Sequence, residues 1–364
     1  MKIDIIAGAR PNFIKIAPII NQINLIKKKK TNLSYRLIHT GQHYDDEMSN
    51  IFFNQLSIPK PNVNLDVGSS THAKQTADIM VGYEQIIKKA RPDVCLVVGD
   101  VNSTMACAIV AKKEKIKVAH VEAGIRSFDS DMPEEINRIV TDSISDYYFT
   151  TSETANMNLK NLGVRKSKIF FVGNVMIDTL LSQLPHLKKP LIFNKLCLSK
   201  KKYFVLTLHR PSNVDDEKKL LSVLKVINNN VNNLKVLFPA HPRTKKVLNK
   251  SKINLKNIYQ INPMSYLEFN YLVKNSLCIL TDSGGITEET TVMNIPCITL
   301  RENTERPETV KYGTNELVGT NQKKIILSLN KVLTHNWKKG STPELWDGKS
   351  SYRIINHLIS LNEK

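Results

Sequence analysis

Two hydrophobic rhythms alternate along this chain. Short β-branched runs appear at Ile3–Ala7, Tyr35–His39, from Val94, Val118–Val121, Tyr147–Thr150 and Ile169–Val172. Between them, apolar residues return at helical spacing over Ile14–Ile26, Thr71–Lys89, Ser103–Lys113 and Glu134–Ile144. Strands separated by helix-length segments predict βαβ units around a parallel sheet. The pattern restarts at Tyr203–Leu208 and runs through Lys235–Phe238, Ile258–Ile261, Cys278–Thr281 and Cys297–Leu300. The expected fold is therefore α/β: two Rossmann-like, doubly wound domains facing a central cleft. Their expected limits are 1–184 and 203–350, joined by a linker over 185–202 that carries Pro185, Pro190 and a lysine cluster. A closing helix near Tyr352–Leu361, within 351–364, is expected to pack back on the first domain.

Composition narrows the class. A chain of 364 residues exceeds one typical core, in line with two domains. With 41% hydrophobic and 23% charged residues it reads as an ordinary globular protein. It has no apolar run long enough for a membrane span. The run from Ile3 to Ala9 is too short for a signal peptide and is broken by Asp4. Five cysteines without a CxxC pair argue for reduced thiols and a cytoplasmic setting, against a disulfide framework or zinc site. The net charge of +19 raises the question of nucleic acid. Its excess lies in runs such as Lys27–Lys30 and Lys200–Lys202 without interleaved aromatics, so a solvated surface is expected and no nucleic-acid partner. A diphosphate needs only two or three such charges.

Candidate chemistry gathers at strand ends. Val94–Val98 leads into Gly99-Asp100, Val118–Val121 into Glu122, and Pro133-Glu134-Glu135 opens a helix. Parallel strands deliver ligand groups at their carboxyl ends, so Asp100, Glu122 and Glu134 are candidate proton carriers. Asp93 and Glu135 read as structural, and His120 as core or as a support for Glu122. Ala7-Gly8-Ala9-Arg10 opens a helix, with Arg10 and Lys15 on the approach, and could meet an anion; it is not GxGxxG. Thr281-Asp282-Ser283-Gly284-Gly285 is the better phosphate turn, offering Ser283, Gly284 and Gly285 to a diphosphate. Glu289 could accept ribose hydroxyls; the competing reading is a helix capping box built on Ser283. His209 ends the first strand of the second half, and Arg306 lies in a charged loop after its last strand. No metal and no organic cofactor are expected.

Taken together, these stretches resemble the non-hydrolysing UDP-N-acetylglucosamine 2-epimerase family over essentially the whole chain. The resemblance is carried by Gly8-Ala-Arg10-Pro, Gly41-Gln42-His43, Gly99-Asp100, His120-Val-Glu122-Ala-Gly124-Ile-Arg126, Pro133-Glu134-Glu135-Ile-Asn-Arg138, Gly173-Asn174, His209-Arg210, Asp282-Ser-Gly-Gly285-Ile-Thr-Glu-Glu289 and Thr304-Glu-Arg306-Pro307-Glu308. It implies a homodimer with a glycosyltransferase-B-like fold acting on a UDP-sugar. It implies removal of the C2 proton as UDP leaves C1, a 2-acetamidoglucal, and proton return to the other face. Asp100, Glu122 and Glu134 would carry protons, and His209 would stabilise the leaving diphosphate. Arg10, Lys15, Ser283, Gly284, Gly285, Glu289 and Arg306 would hold UDP, with the backbone near Phe269 available to uracil. Tyr44 stands where many members carry Arg, in a segment that binds an activating second substrate in those members. Alternatives are an epimerase of a UDP-2,3-diacetamido uronic acid, a hydrolysing epimerase releasing N-acetylmannosamine, a glycosyltransferase, and a non-catalytic polyanion binder.

Overall fold

The computed structural model describes residues 1–27, 32–41, 53, 55–240, 242–251 and 253–362. The segment Gln42-His43-Tyr44-Asp45 lies outside them. The fold is α/β, built on two parallel sheets, and the chain divides into two units. One comprises Met1–Ser182 with Glu344–Lys364, the other Gln183–Pro343.

The first unit holds β1 (Lys2–Ala7), β2 (Ser34–His39), β3 (Val63–Asn64), β4 (Val94–Val98), β5 (Lys117–Val121), β6 (Tyr147–Thr150) and β7 (Ile169–Phe171). Their order across the sheet is β3-β2-β1-β4-β5-β6-β7, with parallel pairing throughout. Every residue of Val94–Val98 is buried, which explains its unbroken apolar run: helices cover both faces of a parallel sheet. The second unit holds β8 (Tyr203–Thr207), β9 (Lys235–Pro239), β10 (Ile258–Ile261), β11 (Cys278–Thr281), β12 (Cys297–Thr299) and β13 (Asn315–Leu317), in the order β10-β9-β8-β11-β12-β13. Each sheet thus winds outward in both directions from its first strand. The crevice such winding opens lies at the carboxyl ends of β1 and β4 in one unit and of β8 and β11 in the other.

Residues 183–202 belong to the second unit. They include a helix, Leu191–Lys195, whose Phe193 ring meets the Tyr203 and Tyr271 rings edge-on at 5.9 and 5.7 Å. The last segment is anchored in the first unit. Trp346 is buried with its indole N–H on the Thr151 carbonyl, and Asp178 accepts the Ser350 and Ser351 amides that open the helix Ser350–Asn362. Among the described residues no helix is long and apolar enough to cross a membrane.

Gly124 shows how tightly the turn after β5 is set. Its φ is +78°, and an added Cβ would collide with the Ala155 carbonyl and the Leu159 side chain. Gly124→Ala is therefore expected to cost about 2–4 kcal/mol of stability, left-handed strain and overpacking together. Urea unfolding at constant m-value checks this; an unchanged midpoint would contradict it.

Candidate active site

In the first unit two of the candidate acids, Asp100 and Glu122, stand beside Gly99, where β4 and β5 end. Glu122 follows β5, is buried, and is held at φ +70°, a conformation that costs a glutamate about 1–3 kcal/mol. Its Oε2 accepts from Lys15 Nζ at 2.6 Å, and Lys15 is itself buried. Gly99 turns at φ +71°, and a Cβ there would press on that Nζ at 3.0 Å, so glycine suits the position beside the pair. Asp100, next in the chain, is partly exposed and receives Arg138 through Nη2 at 2.5 Å and Nε at 3.0 Å. Arg138 also binds Glu135 at 2.7 Å, and Glu135 takes the amides of Ser127 and Phe128. Glu135 thus shapes the loop, while its neighbour Glu134 is exposed in the first turn of the helix Pro133–Ile144. Proline at the first helical position and two acids in the first turn suit the positive end of the helix dipole.

Beneath this surface lies a polar network. His120 Nδ1 meets Asp142 Oδ1 at 2.7 Å and its Nε2 meets the Gly99 carbonyl at 2.9 Å. Asp142 also binds Arg126 at 2.7 Å and the Gly124 amide at 3.0 Å. Burial alone would push the Asp142 carboxyl up. The adjoining His120 and Arg126 outweigh it and hold the carboxyl below its ordinary value. One buried carboxylate therefore ties the Gly99-Asp100 turn to the Glu122–Gly124 turn.

The turn after β1 differs from its sequence expectation. The Gly8 and Ala9 amides both donate to Asn12 Oδ1, at 3.2 and 2.9 Å, and Asn12 Nδ2 reaches the Val98 carbonyl. Asn12 thus occupies the position foreseen for an anion, for a local reason that glycine spacing does not reveal. Arg10 opens the helix Arg10–Lys27, and its side chain lies outside the described residues.

In the second unit, β8 and β11 end side by side, their Thr207 and Thr281 hydroxyls 2.6 Å apart. Asp282, wholly buried, accepts the His209 and Arg210 amides and pairs with His209 Nδ1 at 2.8 Å. The helix Gly284–Met293 starts without a side-chain cap from Ser283, so the capping-box alternative is not realised. Ser283, Gly284 and Gly285 are partly accessible there. Further along the same helix, buried Glu289 accepts from the Tyr266 hydroxyl at 2.6 Å. Burial raises its carboxyl to about 7, against the lowering effect of the Tyr266 bond and with a contribution from Glu288.

Arg306 is buried and directs Nε to Glu288. Glu308 beside it has no hydrogen-bond partner on either carboxylate oxygen, and burial lifts it to about 7. Arg210 and Arg301 share Glu305, at 3.2 and 2.6 Å. Phe269 is half-buried on the helix Tyr266–Asn275, its amide donating to the Ser265 carbonyl.

Sequence reasoning did not assign roles to Asp142, Asp282 or Tyr266. A single buried acid or phenol has no periodic signature. Only the Asp-Ser-Gly-Gly context of Asp282 carried a hint. Among the described residues no group of three or more His, Cys, Asp or Glu side chains could hold a metal ion.

Comparison with known proteins places these groups in a family context. The family model described as UDP-N-acetylglucosamine 2-epimerase matches residues 26–359. The UDP-N-acetylglucosamine 2-epimerase of Methanocaldococcus jannaschii is 45% identical, with 98% of this chain and 99% of that protein covered. Its crystal structure in complex with UDP-GlcNAc and UDP superposes with a TM-score of 0.87, covering 99% of this chain and 100% of that one. The UDP-2,3-diacetamido-2,3-dideoxy-D-glucuronate 2-epimerase of Pseudomonas aeruginosa is 40% identical, covering 99% of this chain and 100% of that protein.

Proposed function

Given that the chain belongs to the UDP-N-acetylglucosamine 2-epimerase family, we propose that it interconverts UDP-N-acetylglucosamine and UDP-N-acetylmannosamine. The observation that carries this reading is the division of chemistry between the two crevices. One offers carboxylates beside Gly99; the other offers an uncapped glycine helix start beside an imidazole.

The C2 hydrogen of an N-acetyl sugar is weakly acidic, and its removal is helped when the C1–O bond to UDP breaks in the same process. A carboxylate takes the proton, the C–H electron pair forms the C1–C2 double bond, and the C1–O pair leaves with UDP. Return of a proton to the opposite face requires a second carrier, which is the physical reason for several acids. In this reading Glu122, Asp100 and Glu134 carry protons, and Lys15 orients the Glu122 carboxylate. Backbone amides at Ser283, Gly284 and Gly285 receive the diphosphate at the positive end of their helix. Glu289 receives the ribose hydroxyls, with Phe269 near uracil. Arg10 and Arg306 add positive charge, and Glu288 fixes the Arg306 side chain. His209 faces the phosphate that departs.

The test is a proton NMR time course in D₂O with UDP-N-acetylglucosamine. Deuterium should enter C2 while UDP-N-acetylmannosamine accumulates. Unaltered substrate would overturn the proposal, and free N-acetylmannosamine would shift it to a hydrolysing epimerase. The Pseudomonas relative favours a second reading, a UDP-diacetamido uronic acid. Turnover of that sugar alone would select it. We further propose a cytoplasmic homodimer. The five free cysteines support the reducing compartment, and the family resemblance supports the dimer, which light scattering would test.

A further inference from the structure

We propose that Asp282 is a positioning residue of this reaction, holding the His209 ring so that Nδ1 carries the shared hydrogen and Nε2 is presented to the departing diphosphate. The inference rests on the reaction proposed above and names the group through which His209 acts.

The His209 side chain is 60% exposed, whereas that of Asp282 is fully buried. An exposed imidazole with two rotatable bonds samples several rotamers; a bond to a buried acceptor selects one. Asp282 also fixes the backbone from which the ring springs. Its Oδ2 accepts the Arg210 amide at 3.0 Å and Asn213 Nδ2 at 3.1 Å, the His209 amide is shared between Oδ2 at 3.1 Å and Oδ1 at 3.2 Å, and Oδ1 also meets the imidazole at 2.8 Å. Burial pushes this carboxyl up, but its bonds, that to His209 foremost, bring it below the ordinary value. Asp282 is therefore an acceptor only, and the hydrogen between the two groups must come from Nδ1. The neutral ring then has its lone pair at Nε2, and the cationic ring presents Nε2–H. The other charges nearby are engaged elsewhere. Arg210 sends Nε to the Asp282 carbonyl and Nη2 to Glu305, which Arg301 also holds.

The step balances. As the C1–O bond breaks, its electron pair leaves on the β-phosphate oxygen, and the Nε2 proton passes to that oxygen. When UDP adds again, the oxygen returns the proton to Nε2. No group is consumed. Without Asp282 the neutral ring is free to carry its hydrogen on Nε2 and turn away from the phosphate, so fewer rings stand ready.

The experiment is a double-mutant cycle on the full-length protein with UDP-N-acetylglucosamine. Asp282→Asn is expected to lower kcat about 100-fold with KM within about threefold. In a His209→Asn background the same change should cost less than about threefold, because both remove one unit. Equal losses in the two backgrounds would assign Asp282 a purely structural role and overturn the proposal. Should Asp282→Asn fail to fold, the wild-type protein decides. With ¹⁵N-histidine labelling near pH 9, the His209 signal, identified by its loss in His209→Asn, should show the Nδ1–H tautomer. An Nε2–H tautomer together with C2 deuterium uptake sinks this inference alone. Absence of uptake, whatever the tautomer, sinks the reaction and the inference with it.

Discussion

Glu122→Gln should lower epimerisation by two or more orders of magnitude while UDP binding stays within about threefold of wild type. Several independent features single this residue out. It sits at the end of β5 in a left-handed conformation, φ +70°, that a buried glutamate would not adopt without compensation elsewhere. Its carboxylate is held by Lys15 at 2.6 Å beside the Gly99 turn. The glutamine keeps shape and hydrogen bonding but cannot accept a proton from carbon. Lys15→Met should also be slow, because Glu122 loses the bond that orients its carboxylate. The two effects should not add, since each disables the same carrier. Steady-state kcat and KM for both variants, with UDP binding measured by calorimetry, check the pair. Near-normal turnover by Glu122→Gln would remove the residue from the mechanism. Multiplying losses in the double variant would separate Lys15 from it.

The fold class and strand positions were legible because parallel strands buried on both faces must be apolar throughout; Val94–Val98 and Cys278–Thr281 are plain in the chain. The edge strands Val63–Asn64 and Asn315–Leu317 were not, since a two- or three-residue pairing leaves no period to detect. At the site, acids standing at strand ends could be read from Gly-Asp and His-x-Glu runs, because topology makes those ends converge. Partnership could not. Lys15 reads in the sequence as a phosphate-binding group, and its contact with Glu122 has no signal there. Arg306 reads likewise, and its contact with Glu288 is equally invisible in the sequence. A lysine or arginine near a glycine turn looks the same in sequence whether it meets a ligand or an internal acid. The internal acid lies outside the local motif in both cases, Glu122 for Lys15 and Glu288 for Arg306.

Binding of the nucleotide sugar should weaken as pH falls through neutrality, by up to about tenfold per unit, and Glu289→Gln should abolish that dependence. Glu289 is buried beneath the helix start, and burial lifts its carboxyl to about 7. In the proposed complex two ribose hydroxyls donate to it, which favours the ionised form. The bound value must then lie below the free one, so affinity is full above about pH 7 and is lost on acidification. The diphosphate of UDP-N-acetylglucosamine is esterified at both ends and does not titrate in this range, so it adds no slope of its own. The contribution of Glu289 to stability of the free protein should run the other way. For Glu289 and Glu308, both raised to about 7 from an ordinary 4.5, the folded state binds more protons than the unfolded one between those values. Their contribution is therefore fully present at low pH and declines as pH rises through that window. Asp142 and Asp282, both held below 3.8, act with the opposite sign and only on strong acidification, so the two windows do not overlap. Between pH 5 and 7, then, the contribution of Glu289 and Glu308 to stability should fall as pH rises, against a rise from His39 and His357, both lowered by burial. Over the same range the stabilisation conferred by nucleotide sugar should grow. Thermal unfolding with and without UDP-N-acetylglucosamine across that range reads both slopes at once. A ligand-induced shift that is flat with pH in wild type and unchanged in Glu289→Gln would take the ribose away from Glu289.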